Sequence, residues 1–158
     1  MKIQLKKIYF SEQMSEETNA FTADLWINGK KIAYVKNDGH GGCTDYNTYD
    51  PSLRPILKEA ENYCESLPSV KYNNHDLPMN LEFKIDLLLE DWLNLKDYKK
   101  AIVYTAKDGS TREVTWKGNS ITKLLKMDSG VTVLKIAIKR IKSQGGVIKN
   151  TNLGSLID

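Results

Sequence analysis

The chain has 158 residues, of which 41% are apolar and 27% charged, and a net charge of +3. A chain this long buries roughly 70% of its extended surface without staples, and with only Cys43 and Cys64 it carries no disulfide framework. The longest apolar runs are a few residues, which excludes a membrane span; residues 1–7 interleave lysines with apolar side chains, unlike a signal peptide. The expectation is a cytoplasmic protein that folds as one domain over residues 1–158.

Residues 2–10 alternate with a change of phase, Ile3 and Leu5 giving way to Ile8 and Phe10, as in an edge or bulged strand. A polar loop follows over residues 11–20. Phe21, Ala23, Leu25 and Ile27 then alternate with Thr22, Asp24, Trp26 and Asn28, predicting a half-buried strand. Asn28-Gly29 supplies a tight turn, and Ile32 and Tyr34 return as the partner strand.

Leu53, Ile56, Leu57, Ala60, Tyr63, Cys64 and Leu67 recur at helical spacing over residues 53–67, with Ser52 as the expected N-cap, Pro55 in the third helical position and Pro68 as the stop. A second helix begins at Asn80, its stripe made by Leu81, Ile85, Leu88, Trp92 and Leu95 and widened by Leu89 and Leu93. A second hairpin spans residues 101–117 around Lys107-Asp108-Gly109-Ser110. After a short turn over 120–127, residues 131–142 read as a helix closed by Gly145-Gly146, although Val-Thr-Val-Leu-Lys-Ile-Ala-Ile is also rich in strand formers. Val147-Ile148 adds a short strand. The fold class predicted is α+β, a mixed and mainly antiparallel sheet built from two hairpins and backed by two or three helices.

The segment from Asn37 to Asp50 has no aliphatic residue and is read as a surface loop. Its glycines allow close backbone approach, with polar side chains alongside. Asp38, Gly39, His40, Gly41, Gly42, Cys43, Thr44, Asp45 and Tyr46 are therefore the candidate ligand-binding residues, with Asn152 from the polar stretch 150–154 as an addition. The loop lacks the Gly-Lys-Ser/Thr ending of a phosphate loop. No cofactor or resident metal is expected.

Alternatives stay open beside this reading. His40, Cys43 and Asp45, with Asp38 as another orienting carboxylate, could serve a small hydrolase or nucleotide-processing enzyme. His40, Cys43, Cys64 and His75 are the only zinc-type donors of nitrogen or sulfur, at spacings matching no zinc motif. Glu82, Asp86 and Glu90 stack on one helical face, where a solvated surface or pairing with Lys135, Lys139 and Lys142 is favoured over a cation. That basic face, with Arg140 and Lys149, could meet nucleic acid. Trp26, Tyr34, Tyr46 and Tyr49 could stack on a base, and Ser129-Gly130 could offer helix N–H groups to an anion.

The hairpin at Asn28-Gly29 running into Lys36-Asn37-Asp38-Gly39 and Gly41-Gly42-Cys43-Thr44-Asp45-Tyr46, together with Asn150-Thr151-Asn152-Leu153-Gly154, resembles small proteins encoded by bacteriophages and other mobile elements. The two segments cover about a fifth of the chain. The resemblance implies a role in the host cytoplasm, binding a host factor or a defence-signalling nucleotide, and carries no activity with it. The function expected is thus non-enzymatic capture of a small polar ligand, a nucleotide or a host protein by the glycine-rich loop.

Overall fold

The phase change at the start of the chain is a bulge. In the computed structural model, which describes residues 1–72 and 75–157, strand β1 (Ile3–Ser11) pairs antiparallel with β2 (Ala20–Ile27), and the register steps from Lys6 opposite Asp24 to Tyr9 opposite Thr22. The extra residue is accommodated by Lys7 at φ +50°, so two apolar pairs of opposite phase serve one strand. Asn28 (φ +48°) and Gly29 (φ +82°) form the predicted turn into β3 (Lys30–Asn37).

The 37–50 segment departs from the loop expected of it. Asp45–Thr48 forms strand β4, which pairs antiparallel with β3 and completes a four-stranded sheet in the order β1-β2-β3-β4. Asn37 and Thr44 are also buried; a polar residue can be internal when its hydrogen bonds are met.

The start of the first helix also differs from expectation. Asp50 accepts the Ser52 N–H at 2.7 Å and opens a 3-10 turn over Pro51–Leu53; α1 (Arg54–Glu65) continues from it with Pro55 in its second position. Ser52 is therefore a donor to the cap rather than the cap itself, because the Asp50 carboxylate reaches two residues forward and starts the turn earlier. Ala60 and Cys64 are fully buried, and α1 lies against β3. Two short strands that the apolar pattern does not announce follow, β5 (Val70–Tyr72) and β6 (His75–Leu77), paired antiparallel.

The long helix α2 (Leu81–Tyr98) is capped by Asn80, whose Oδ1 accepts the Phe83 N–H at 2.7 Å. Leu81, Ile85 and Leu89, at four-residue steps, are buried, whereas Leu95 of the predicted stripe is exposed.

The chain divides into two compact units, Met1–Glu90 and Asp91–Asp158. The second contains the predicted hairpin β7 (Ile102–Thr105) and β8 (Thr111–Val114), then the short α3 (Ile121–Leu124), α4 (Asp128–Ser143) and β9 (Val147–Ile148), with strand order β8-β7-β9. The α+β class holds, the two predicted hairpins lying in separate sheets and every strand pair among the described residues antiparallel.

Residues 131–142 are helical despite their strand-forming composition, because Leu134, Ile138 and Ile141 then fall on one face and pack with Ile102, Ile121, Leu124 and Leu153. Gly145, at φ +78°, and Gly146 close the helix by returning N–H groups to the Lys142 and Ile141 carbonyls. At Gly130 a Cβ would stand 2.3 Å from the Leu124 carbonyl oxygen, so its bareness lets α4 approach the end of α3. Among the described residues no helix is long and apolar enough to cross a membrane.

Candidate functional site

The glycine-rich loop joins β3 to β4, and Asn37 organises it. The Asn37 carbonyl oxygen Oδ1 accepts from the Thr18 hydroxyl (2.9 Å) and the Gly39 N–H (2.9 Å), while its amide Nδ2 donates to the Gly42 carbonyl (3.0 Å) and to Thr44 Oγ1 (3.1 Å). One buried amide thus has both its oxygen and its nitrogen satisfied, by the loop itself and by Thr18 of the β1–β2 connection. Thr44 carries the network onward: its N–H donates to Glu82 Oε1 and its hydroxyl to Asp86 Oδ1, both at 2.8 Å.

Two of the three stacked carboxylates on α2 therefore hold the loop, where the sequence favoured solvation or pairing with lysines. Charge-assisted bonds of this kind are stronger than neutral ones, which offsets the repulsion between acids one turn apart. Burial pushes the Asp86 carboxyl above its ordinary pKa, and the nearby Glu82 charge adds to this, against a smaller opposing effect of the Thr44 hydroxyl.

The glycines divide by role. Gly39 (φ +88°) is buried, its carbonyl accepts the N–H groups of Glu16, Glu17 and Thr18 at 3.0–3.2 Å, and a Cβ on it would stand 2.1 Å from the Met14 carbonyl oxygen. Gly41 (φ +87°) would place a Cβ against the flexible Glu17 carboxylate. Gly42 has neither a positive φ nor a neighbour within 4 Å, so packing does not demand a glycine there.

Between the loop and the first turns of α2 lies an open recess of about 380 Å³, bordered by Thr18, Asn19, Phe21, Cys43, Glu82 and Asp86. Its polar wall is acidic. Gly41, Gly42, Cys43 and Thr44 of the predicted set border it, and Gly39 bonds to Asn37, which also borders it.

The remaining candidates lie elsewhere. Asp38 is ion-paired with Lys36 at 2.7 Å, and the His40 imidazole Nδ1 lies 3.2 Å from Glu16 Oε2. Among the described hydrogen bonds, then, His40 turns to Glu16 and not to Cys43 or Asp45. Asp45 sits exposed on β4. The Tyr46 hydroxyl donates to Glu61 at 3.2 Å, and burial together with the Glu61 charge pushes its pKa up to about 12.

Asn152 belongs to the second unit, where its amide donates to the Tyr98 carbonyl at 2.8 Å and its Oδ1 accepts from Asn150. Cys43 is exposed and Cys64 is buried. Among the described residues no three His, Cys, Asp or Glu side chains gather closely enough to hold a metal ion.

A polar cluster that the sequence reading missed sits on the same sheet. Asp24, only 6% exposed on β2, accepts the Tyr49 hydroxyl at 2.5 Å and pairs with Lys31 at 3.0 Å, and the Lys31 ammonium lies 4.1 Å from the centre of the Tyr49 ring. Tyr49 thus takes part in this cluster through both its hydroxyl and its ring. The one available signal was an acid in the middle of an otherwise apolar strand. Burial raises the Asp24 pKa, but the Tyr49 and Lys31 bonds outweigh it and hold the carboxyl below its ordinary value of 3.8.

A lowered folded-state pKa contributes stability above the unfolded value, and that contribution is lost as pH falls through the folded one. Asp24→Asn is accordingly expected to cost about 2 kcal/mol at pH 7, with the gap to wild type closing below about pH 4. Urea titrations at pH 7 and pH 3 measure both; an unchanged gap at pH 3 contradicts this account.

No family model, curated protein or solved structure matches this chain.

Proposed function

We propose that the protein is a non-enzymatic binding protein whose loop recess captures a small polar ligand through a protonated amine or guanidinium group. The supporting observation is the Thr44 relay, which sets the open glycine backbone at Gly41 and Gly42 beside the Glu82 and Asp86 carboxylates. Two acids at the wall attract a cationic group and repel a phosphate, so of the ligands the loop could take, a nucleotide held by its phosphates is the less favoured. Phe21 and Leu89, both buried, form the apolar core beneath the recess. The resemblance to proteins of bacteriophages and mobile elements implies a host-cytoplasm setting for such a ligand, and two free thiols suit that setting.

Asp86→Asn tests the reading. The amide still offers an oxygen to the Thr44 hydroxyl while removing a half-buried charge, so the variant is expected to be about 0.5–1 kcal/mol more stable than wild type, the usual exchange of stability against function. Agmatine, spermidine and arginine should raise the melting temperature of wild type and not of the variant. Stabilisation by AMP or inorganic phosphate but by none of the cations overturns the proposal.

A further inference from the structure

The second unit carries a groove of opposite character. Between β7, β8 and α4 a recess of about 340 Å³ is bordered by Tyr104, Trp116, Val133, Ile136, Arg140 and Gln144. A second of about 530 Å³ is bordered by Tyr104, Lys107, Asp108, Arg112, Gln144 and Gly146. Tyr104 and Gln144 border both, so the two recesses adjoin at these side chains and are together called the channel. Gly146 borders the second recess, where a Cβ would stand 2.6 Å from Ile141 Cγ2 and 3.0 Å from the Tyr104 ring. Tyr104 and Trp116 are half-buried, packed against the core on one side and bordering the channel on the other.

The surrounding charge is one-sided. Residues 91–158 hold thirteen Lys and Arg against six Asp and Glu. Arg112 is held by Asp108 at 2.6 Å, but among the described residues Lys107, Lys135, Lys139 and Arg140 are in no ion pair with a carboxylate. Lys135 and Lys139 stand one helical turn apart on the exposed side of α4, about 6 Å along its axis.

We infer that this channel binds single-stranded nucleic acid. Unpaired cations at both ends (Lys107 and Arg140) supply the attraction for a phosphate backbone, and the two ring systems between them offer faces on which bases stack irrespective of sequence. The exposed Ile136, at 64%, and Val133 extend the apolar floor under the bases. An acidic peptide would use the cations but has no planar groups for the rings. A duplex keeps its bases inside and would use only the lysines.

The test is fluorescence anisotropy of the full chain with labelled twelve-nucleotide oligo-dT and oligo-U, beside a duplex of equal length and a poly-glutamate peptide. Single strands should bind best, with log affinity falling against log salt at a slope of about −1.4, as two phosphate contacts require. Arg140→Gln and Lys107→Gln, both at exposed positions, should each weaken binding about fivefold and flatten the slope by about 0.7. Trp116→Ala should weaken it at least tenfold with the slope unchanged, circular dichroism confirming the fold and Trp116→Leu serving as the check should alanine unfold the unit. No binding at 50 mM salt, equal or tighter binding of duplex or poly-glutamate, or indifference to both Arg140→Gln and Lys107→Gln overturns the inference.

Discussion

Asn150→Ala is expected to destabilise the second unit by about 3 kcal/mol, one of the largest effects of any single substitution outside the apolar core. Asn150 is 3% exposed; its Oδ1 accepts the Val103 N–H at 2.7 Å, and its amide donates to the Ala101 carbonyl at 2.9 Å, the Tyr98 carbonyl at 3.2 Å and Asn152 Oδ1 at 3.1 Å. The side chain joins the C-terminal end of α2, the start of β7 and the segment after β9. Removing it takes away the partner of several buried backbone groups at once, each worth about 1–3 kcal/mol when left unpaired. Asn150→Asp preserves the acceptor but not the donors, and turns a buried charge toward two carbonyl groups, so it should do no better at pH 7. Urea denaturation decides this; a loss below about 1 kcal/mol for both variants means that water takes over the amide's bonds.

Within the loop, Gly39→Ala and Gly42→Ala are expected to differ sharply although only two residues separate them. At Gly39 the new methyl meets the Met14 carbonyl oxygen at 2.1 Å and the Ala20 Cβ at 2.9 Å, on a backbone at φ +88°. Left-handed strain alone costs about 1–2 kcal/mol, and neither neighbour is the free end of a flexible side chain that could swing away. The loop must therefore leave the three N–H groups of residues 16–18, for a total of about 3 kcal/mol and loss of the recess. Gly42→Ala meets open space and should stay within about 0.5 kcal/mol of wild type. Thermal melts of the two variants settle the matter, and equal melting temperatures would refute the assignment of roles.

The hairpins and the longer helices were legible because each depends on local signals: the positive φ demanded at Asn28-Gly29, the apolar steps of 81, 85 and 89, and the double glycine after α4. The 131–142 stretch was ambiguous by composition and was decided by packing, since only as a helix do Leu134, Ile138 and Ile141 share a face. Strand β4 was hidden because Asp45-Tyr46-Asn47-Thr48 has no apolar alternation; its existence rests on hydrogen bonds to β3.

At the site, the glycines and polar residues of the loop marked the right segment, but not what they do. That Asn37 and Thr44 would be internal, and that Glu82 and Asp86 would bind Thr44, depends on pairings 38 and 42 residues apart, which no periodicity encodes. Asn152 was selected for its polarity, yet in the structure its bonds run to Tyr98 and Asn150.

The bulge in β1 has a consequence for the protein at high concentration. β1 is the outer strand of its sheet, and a straight, apolar outer strand is a template on which further copies stack into aggregates. Here the ladder is interrupted at Lys7, and Lys6, its ammonium 3.7 Å over the Trp26 ring, stands beside it. A second molecule approaching this margin meets a broken hydrogen-bonding rhythm and two positive charges. The same extra residue that reconciles Ile3 and Leu5 with Ile8 and Phe10 thereby guards the sheet against fibrillar growth.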